Sequence, residues 1–274
     1  MARRCVSEDL GNAGDITAQT TLAADLRTEA KIVARQAGCV AGLTVAMRVF
    51  EVLEADVVTT IHIPDGTVVV AGTVLATLRG SARDVVTGER SALNILGHAS
   101  GIATATHNMA SLIADLPTVL VDTRKTTPGL RALDKYAVRV GGGHNHRLSL
   151  DGAVMIKDNH IAGNGSITAA VEAARSSLGH TTKIEVEIER LDQLAEALSS
   201  GADIIMLDNM SNAEMATAVR LCAGSVILEA SGGITEDNIR AVAQTGVNVI
   251  SVGWLTQSAP AMDVALDFAT GLAN

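Results

Sequence analysis

VLVDTRKTTPGLRALDKYAVRVGGGHNHRLSLDGAVMIKDNHI, Val119–Ile161, is the stretch whose reading decides the fold. Two short apolar runs, VLV and AVMI, each end directly in charged residues. Such runs read as buried strands of a parallel sheet with charged tips. The stretch also holds seven of the 21 Lys and Arg (Arg124, Lys125, Arg131, Lys135, Arg139, Arg147 and Lys157) inside a chain of formal charge -9. Cations so placed predict a pocket for an anion.

Toward the C-terminus the same kind of stub recurs: IEVEI at 184, IIMLD at 204, VILEA at 226 and VNVISV at 247. Helical patterns lie between the later stubs: Ile167, Val171, Ala174 and Leu178, then Leu191, Leu194 and Leu198, then Met215, Val219 and Cys222. Ser211 and Glu214 form a capping box that starts the third of these helices. Thr235, followed by Glu236 and Asp237, predicts another helix start with acids at its positive end. Alternating βα units imply a parallel sheet with right-handed crossovers. Six stubs fall short of the eight strands of a closed barrel. The expectation is an α/β protein whose residues 108–274 form an incomplete, open barrel of about six to seven parallel strands.

Toward the N-terminus, residues 1–107 are expected to form a small α/β sandwich. Residues 1–30 are polar and punctuated by Gly, and read as a surface loop. From Lys31 to Leu78, short apolar runs separated by Gly and by Pro64-Asp65-Gly66 predict a small, largely antiparallel sheet. SARDVVTGERSALNILGHASGIATATHNM then predicts a helix with Val86, Arg90, Leu93 and Gly97 on one face. Arg90 there either snorkels past its neighbours or points into a site or across an interface. Gly97 and Gly101 cost about 1 kcal/mol each against Ala, which close helix packing would offset.

Composition narrows the function. A pI near 5.2 and only 1% aromatic residues argue against a nucleic-acid surface, which needs a basic stripe and stacking rings. Cys5, Cys39 and Cys222 are scattered, which supports neither a zinc ribbon nor a disulfide framework and fits a reducing compartment. No apolar run is long enough for a membrane span, and no apolar h-region follows Arg3 and Arg4. A cytoplasmic protein is expected.

In α/β barrels the chemistry sits at the carboxyl ends of the strands. Those ends carry Arg124 and Lys125, Lys157, Glu187 and Glu189, Asp208, Ser231-Gly232-Gly233, and Gly253. The glycine tips follow the last two strands and offer backbone N–H groups to a phosphate. His146 with Arg147 reads as an anion clamp, in preference to His144 and His146 as a metal pair. Glu187 and Asp208 either close rim salt bridges or serve Mg2+ and sugar hydroxyls.

These residues make the family recognisable. EDLGNAGDIT, ERSALNILGHASGIAT, the DTRKTTPG, NHR and KDNH runs, IEVEIE, MLDN, EASGGI and SVGWLTQSAP together resemble quinolinate phosphoribosyltransferases, in order over nearly the whole chain. The resemblance implies transfer of phosphoribosyl from phosphoribosyl pyrophosphate to quinolinate with loss of CO2. It implies that Arg90, Arg124, His146, Arg147 and Lys157 surround quinolinate, and that Lys125 and Lys157 face the pyrophosphate. Glu187 and Asp208 would serve the ribose and Mg2+, directly or through substrate or water, and Ser231, Gly232, Gly233 and Gly253 would hold the 5'-phosphate. Lys125, Lys157, Glu187 and Asp208 would be the catalytic residues. It further implies a homodimer, or a higher oligomer of dimers, with Arg90 shared across the interface. Two departures stand out: only seven residues precede EDLG, so the helix leading into it is expected to be short or absent, and Trp254 replaces a small residue and is expected to tighten the phosphate end. The remaining readings are a nicotinate-using or molybdenum-associated relative, a Schiff-base aldolase built on Lys125 or Lys157, and a non-catalytic phosphosugar-binding barrel.

Overall fold

The computed structural model describes residues 1–268. In chain order the elements are α1 (Ala2–Leu10), α2 (Ile16–Thr21), β1 (Arg27–Ala34), β2 (Gly38–Cys39), α3 (Leu43–Val52), β3 (Val57–Ile61), β4 (Val68–Val69), β5 (Val74–Ser81) and α4 (Ala82–Leu112). There follow β6 (Val119–Val121), α5 (Arg131–Val140), β7 (Val154–Ile156), α6 (Asp158–Asn164), α7 (Ile167–Ser177), β8 (Ile184–Ile188) and α8 (Leu194–Ser199). The chain continues through β9 (Ile204–Asp208), α9 (Asn212–Cys222), β10 (Ile227–Ser231), α10 (Ile239–Ala243), β11 (Val249–Ser251), α11 (Trp254–Gln257) and β12 (Val264–Phe268).

Two compact units emerge. One comprises Met1–His107, Pro128–Gly142 and 258–268, and the other Asn108–Thr127 and Gly143–Gln257. The expected second domain, 108–274, is thus interrupted once, at Pro128–Gly142, and ends at Gln257, because α5 and β12 belong to the first unit. Residues 269–274 of that expected domain lie outside the described residues.

In the first unit an antiparallel sheet of order β12-β1-β5-β3 forms where the apolar runs predicted one. Ala30, Ile32 and Ala34 alternate along β1 and are buried, as period two requires when one face meets a core. Gly97 and Gly101 do mark a close approach, but against extended chain and not a second helix. A Cβ on Gly101 would lie 2.1 Å from the Pro260 carbonyl oxygen, and one on Gly97 would lie 2.9 Å from that of Met262. Residues 1–30 depart from the expected loop. Ala2 and Val6, four apart and buried, give α1 an apolar stripe, and Asp15 caps α2 by accepting the Ala18 N–H at 2.8 Å. Of the two alternatives for the leading helix, short or absent, the structure shows the short one, nine residues ending at Leu10.

In the second unit all six stubs become strands of one parallel sheet, ordered β6-β11-β10-β9-β8-β7. β6 and β7 stand at its two ends, so the barrel is open. His144 adds a parallel bridge to Val121 beside β6. One face of the strands is wholly apolar: Ile184, Val186, Ile188, Ile205, Leu207 and Ala230 are each 0% exposed. The helices meet this face through residues such as Val171, Leu194, Met215 and Val242, which are also buried. Ser211 and Glu214 form the expected capping box of α9. Two helix expectations shift. Leu178 lies beyond the end of α7 and is exposed, and the helix expected at Thr235 starts only at Ile239, because Asn238 turns back to accept the Thr235 N–H at 2.9 Å.

Candidate active site

The other face of the same strands is polar. Because side chains alternate, Glu185 with Glu187, Met206 with Asp208, and Glu229 with Ser231 share the inward side. All of these but Glu185, together with the loops after the strands, line a cavity of about 600 Å3. Of the residues named from the sequence, Arg124, Lys125, His146, Arg147, Lys157, Glu187, Asp208 and Ser231-Gly232-Gly233 line it, while Arg90, His144, Glu189 and Gly253 do not.

Arg124 and Lys125 follow β6. Thr123 Oγ1 accepts the Lys125 N–H at 3.0 Å, and Thr256 Oγ1 donates to the Lys125 carbonyl at 2.7 Å, so this turn is held from both sides. Gly253 acts here: a Cβ on it would lie 2.8 Å from Lys125 Cδ, so its bareness gives the lysine room. Lys157 follows β7 and caps α6, and its N–H donates to His160 Nδ1 at 3.0 Å, which explains the histidine of the KDNH run. Its ammonium pairs with Glu187 at the end of β8.

The His146-Arg147 segment is tied down by a buried acid. Asp122, 0% exposed, accepts the His146 N–H at 2.9 Å and Asn145 Nδ2 at 2.6 Å. His146 Nδ1 accepts the Arg147 N–H at 2.7 Å, and Arg147 Nη1 donates to the Ala153 carbonyl at 2.7 Å. Burial and the neighbouring Arg124 charge lower the Arg147 pKa, while Glu185 opposes them. Two guanidiniums that disfavour each other in a cavity are relieved by an anion between them. Of the seven cations in the quoted stretch, only Arg124, Lys125, Arg147 and Lys157 line the cavity. Arg131, Lys135 and Arg139 lie on α5 in the first unit.

At the glycine end, Gly232 and Gly233 have φ of +94° and +62°. A Cβ on Gly232 would lie 2.2 Å from Asn209 Oδ1, so the close approach demands glycine. Asn209 itself takes φ +54°, a conformation asparagine tolerates, and its Nδ2 donates to Asp208 at 2.9 Å. Trp254 Nε1 donates to the Ile234 carbonyl at 3.2 Å and so pins the loop that follows the glycines. α10 starts only at Ile239, so a loop and not a helix terminus follows the glycines.

Sequence reading missed the deeper layer. Glu185 and Glu229 are 1% and 3% exposed, and one carboxylate oxygen of each has no hydrogen-bond partner among the described residues. Their other oxygens lie 3.1 and 3.6 Å from His146 Nε2. Burial, and then the Glu185 charge, push the Glu229 carboxyl up to about 7, against the pull of His146. The available signal was the alternation itself: IEVEI places Glu185 on the same face as Glu187. Arg90 lies on α4 with its side chain 67% exposed, outside the lining.

Residues 15–100 and 102–267 match the models of the N-terminal and C-terminal domains of quinolinate phosphoribosyl transferase. A Bacillus subtilis protein named as a probable nicotinate-nucleotide pyrophosphorylase (carboxylating) is 45% identical over 95% of this chain and 89% of its own. The structure of the nicotinate-nucleotide pyrophosphorylase from Francisella tularensis superposes with a TM-score of 0.93 at 41% identity, over 97% of this chain and 94% of that one. That from Ehrlichia chaffeensis gives 0.94 at 38% identity, over 97% of each chain.

Proposed function

The chain belongs to the quinolinate phosphoribosyltransferase family, and from that premise we propose that it transfers phosphoribosyl from phosphoribosyl pyrophosphate to quinolinate, giving nicotinate mononucleotide, pyrophosphate and CO2. The observation that carries this reading is the meeting of Arg124, Lys125, Arg147 and Lys157 in one cavity with two carboxylates and a glycine loop. Arg124, His146, Arg147 and Lys157 surround the quinolinate dianion. Lys125 and Lys157 face the pyrophosphate, Glu187 and Asp208 the ribose, and Ser231, Gly232 and Gly233 the 5'-phosphate, with Gly253 acting through the room it leaves Lys125.

The quinolinate ring nitrogen gives its lone pair to the ribose anomeric carbon as the bond to pyrophosphate breaks. Positive charge on the sugar in the transition state faces Glu187 and Asp208, and the leaving charge faces Lys125. The new bond makes the ring nitrogen cationic. The adjacent carboxylate then departs as CO2, the electron pair it leaves on the ring carbon being stabilised by that nitrogen until solvent protonates it.

Glu187 and Asp208 offer hard oxygen donors within the same cavity, which fits Mg2+ completed by substrate oxygens or water. Bound there, Mg2+ supplies charge neutralisation to the pyrophosphate. The reading includes a cytoplasmic homodimer, or a higher oligomer of dimers, in which Arg90 reaches across the interface. Its support is an exposed arginine on an otherwise apolar helix face, three free cysteines, and no helix among the described residues long and apolar enough to cross a membrane. The Schiff-base reading is disfavoured because Lys157 is paired with Glu187 and 43% exposed, not an amine in an apolar pocket.

Purified protein given phosphoribosyl pyrophosphate, Mg2+ and carboxyl-labelled quinolinate should release labelled CO2 and nicotinate mononucleotide. Turnover of nicotinate with none of quinolinate would overturn the reading. Inactive Arg90→Ala and Lys157→Ala proteins should regain partial activity after subunit exchange, and no recovery despite verified exchange would remove Arg90 from a shared site.

A further inference from the structure

The reaction as described uses His146 as one more group around the dianion, yet both of its ring nitrogens are already engaged away from any ligand. Nδ1 accepts the Arg147 backbone N–H at 2.7 Å, and an amide N–H can only be accepted by a ring nitrogen that carries no proton. The ring proton therefore sits on Nε2, which lies 3.1 Å from Glu185 and 3.6 Å from Glu229. His146, Glu185 and Glu229 have the spacing of a metal centre, but a protonated Nε2 cannot ligate a metal. An imidazolium is no better, since it would set Nδ1–H against the Arg147 N–H.

Glu185 and Glu229 reach His146 from β8 and β10, the two strands that flank β9. Buried carboxylates without a full set of partners are costly, and a sequence that keeps two of them beneath a substrate cavity gains something for it. What they gain is a fixed tautomer. We propose that Glu185 and Glu229 are positioning residues for quinolinate: by accepting the Nε2–H of His146 they keep the ring proton there, leave Nδ1 as the acceptor that locks the Arg147 backbone, and so aim its guanidinium at the substrate carboxylate.

Asp122 completes the support by holding the His146 and Asn145 N–H groups from the other side. His146 thereby acts through Arg147, not as a charge of its own. The assignment rests on the quinolinate reading for its consequence, while the tautomer itself does not.

Two arms separate these. In protein labelled with 15N-histidine, the ring spectrum of His146, assigned by its loss in His146→Asn, should show the neutral form protonated on Nε2 near neutral pH. A neutral form protonated on Nδ1, or an imidazolium, would overturn the proposal without any substrate being added. In the kinetic arm, Glu185→Ala leaves a buried donor facing no carboxylate at 3.1 Å, and KM for quinolinate should rise about 5- to 100-fold with kcat much less affected. Glu185→Gln, whose amide oxygen still accepts, should recover most of that loss, and Glu229→Ala should show the smaller effect of the longer contact. Unchanged KM in a folded Glu185→Ala protein with an unaltered His146 spectrum would refute the assignment. Should Glu185→Ala not fold, the wild-type spectrum and Glu229→Ala decide the matter. A wild-type protein that leaves quinolinate untouched would refute the assigned reaction, and the spectrum would still decide the tautomer.

Discussion

Two faces of the same parallel strands obey opposite rules. On the helix side, Ile188, Leu207 and Ala230 are apolar and fully buried; one residue away in sequence, on the cavity side, stand Glu187, Asp208 and Glu229. The first face stabilises the sheet by removing apolar area from water. The second gives up that stabilisation to hold charges, some of them buried and incompletely partnered. Stability and chemistry are thus separated by a single step of the side-chain alternation, and each face can be altered without the other.

The largest expected effect lies on the cavity face. Arg147→Ala should lower kcat/KM for quinolinate by roughly 30-fold to several thousandfold, the equivalent of about 2 to 5 kcal/mol for a lost partner of a buried carboxylate, with little change in thermal stability. Near-normal turnover in a folded variant would remove this arginine from the site. On the opposite face, Leu207→Ala should cost about 2 to 5 kcal/mol in chemical denaturation while leaving KM for both substrates close to wild type. A large rise in KM would show that the two faces are not separable.

A smaller effect comes from the deep layer. The Glu229 carboxyl titrates at about 7 in the fold against a reference value of 4.5. A carboxyl with a raised pKa favours the folded state fully below pH 4.5, and that contribution is lost as pH rises toward 7. The unfolding midpoint should therefore fall over this window, and part of the fall should be missing in Glu229→Gln. Identical pH profiles would mean that the carboxyl is not held protonated by its surroundings.

The same contrast explains what could be read from sequence. Apolar stubs followed by charges or by glycines marked all six parallel strands, because burial on the helix side and function at the tip both leave their mark within five residues. The capping box at Ser211 was legible for the same local reason. Features set by distant partners were not. Assignment of α5 to the first unit depends on contacts such as His98 with Asp134 at 2.7 Å and Tyr136 Oη with Asp65 at 2.7 Å, and β12 pairs with β1 across most of the chain. Glu185 and Glu229 were hidden because a glutamate within a strand reads as solvated until its burial is known. Residues 1–30 looked like a loop because α1 and α2 are short and bury few side chains.

The account rests on the cavity being built for two carboxylates on one ring, and the most direct test is the affinity of the resting protein for quinolinate against nicotinate, measured by calorimetry. Loss of one carboxylate removes charge-assisted hydrogen bonds, so quinolinate should bind about 10- to 150-fold more tightly, and Arg147→Ala should erase much of that preference. Equal affinities for the two acids would contradict the convergence of Arg124, Arg147 and Lys157 on a dianion.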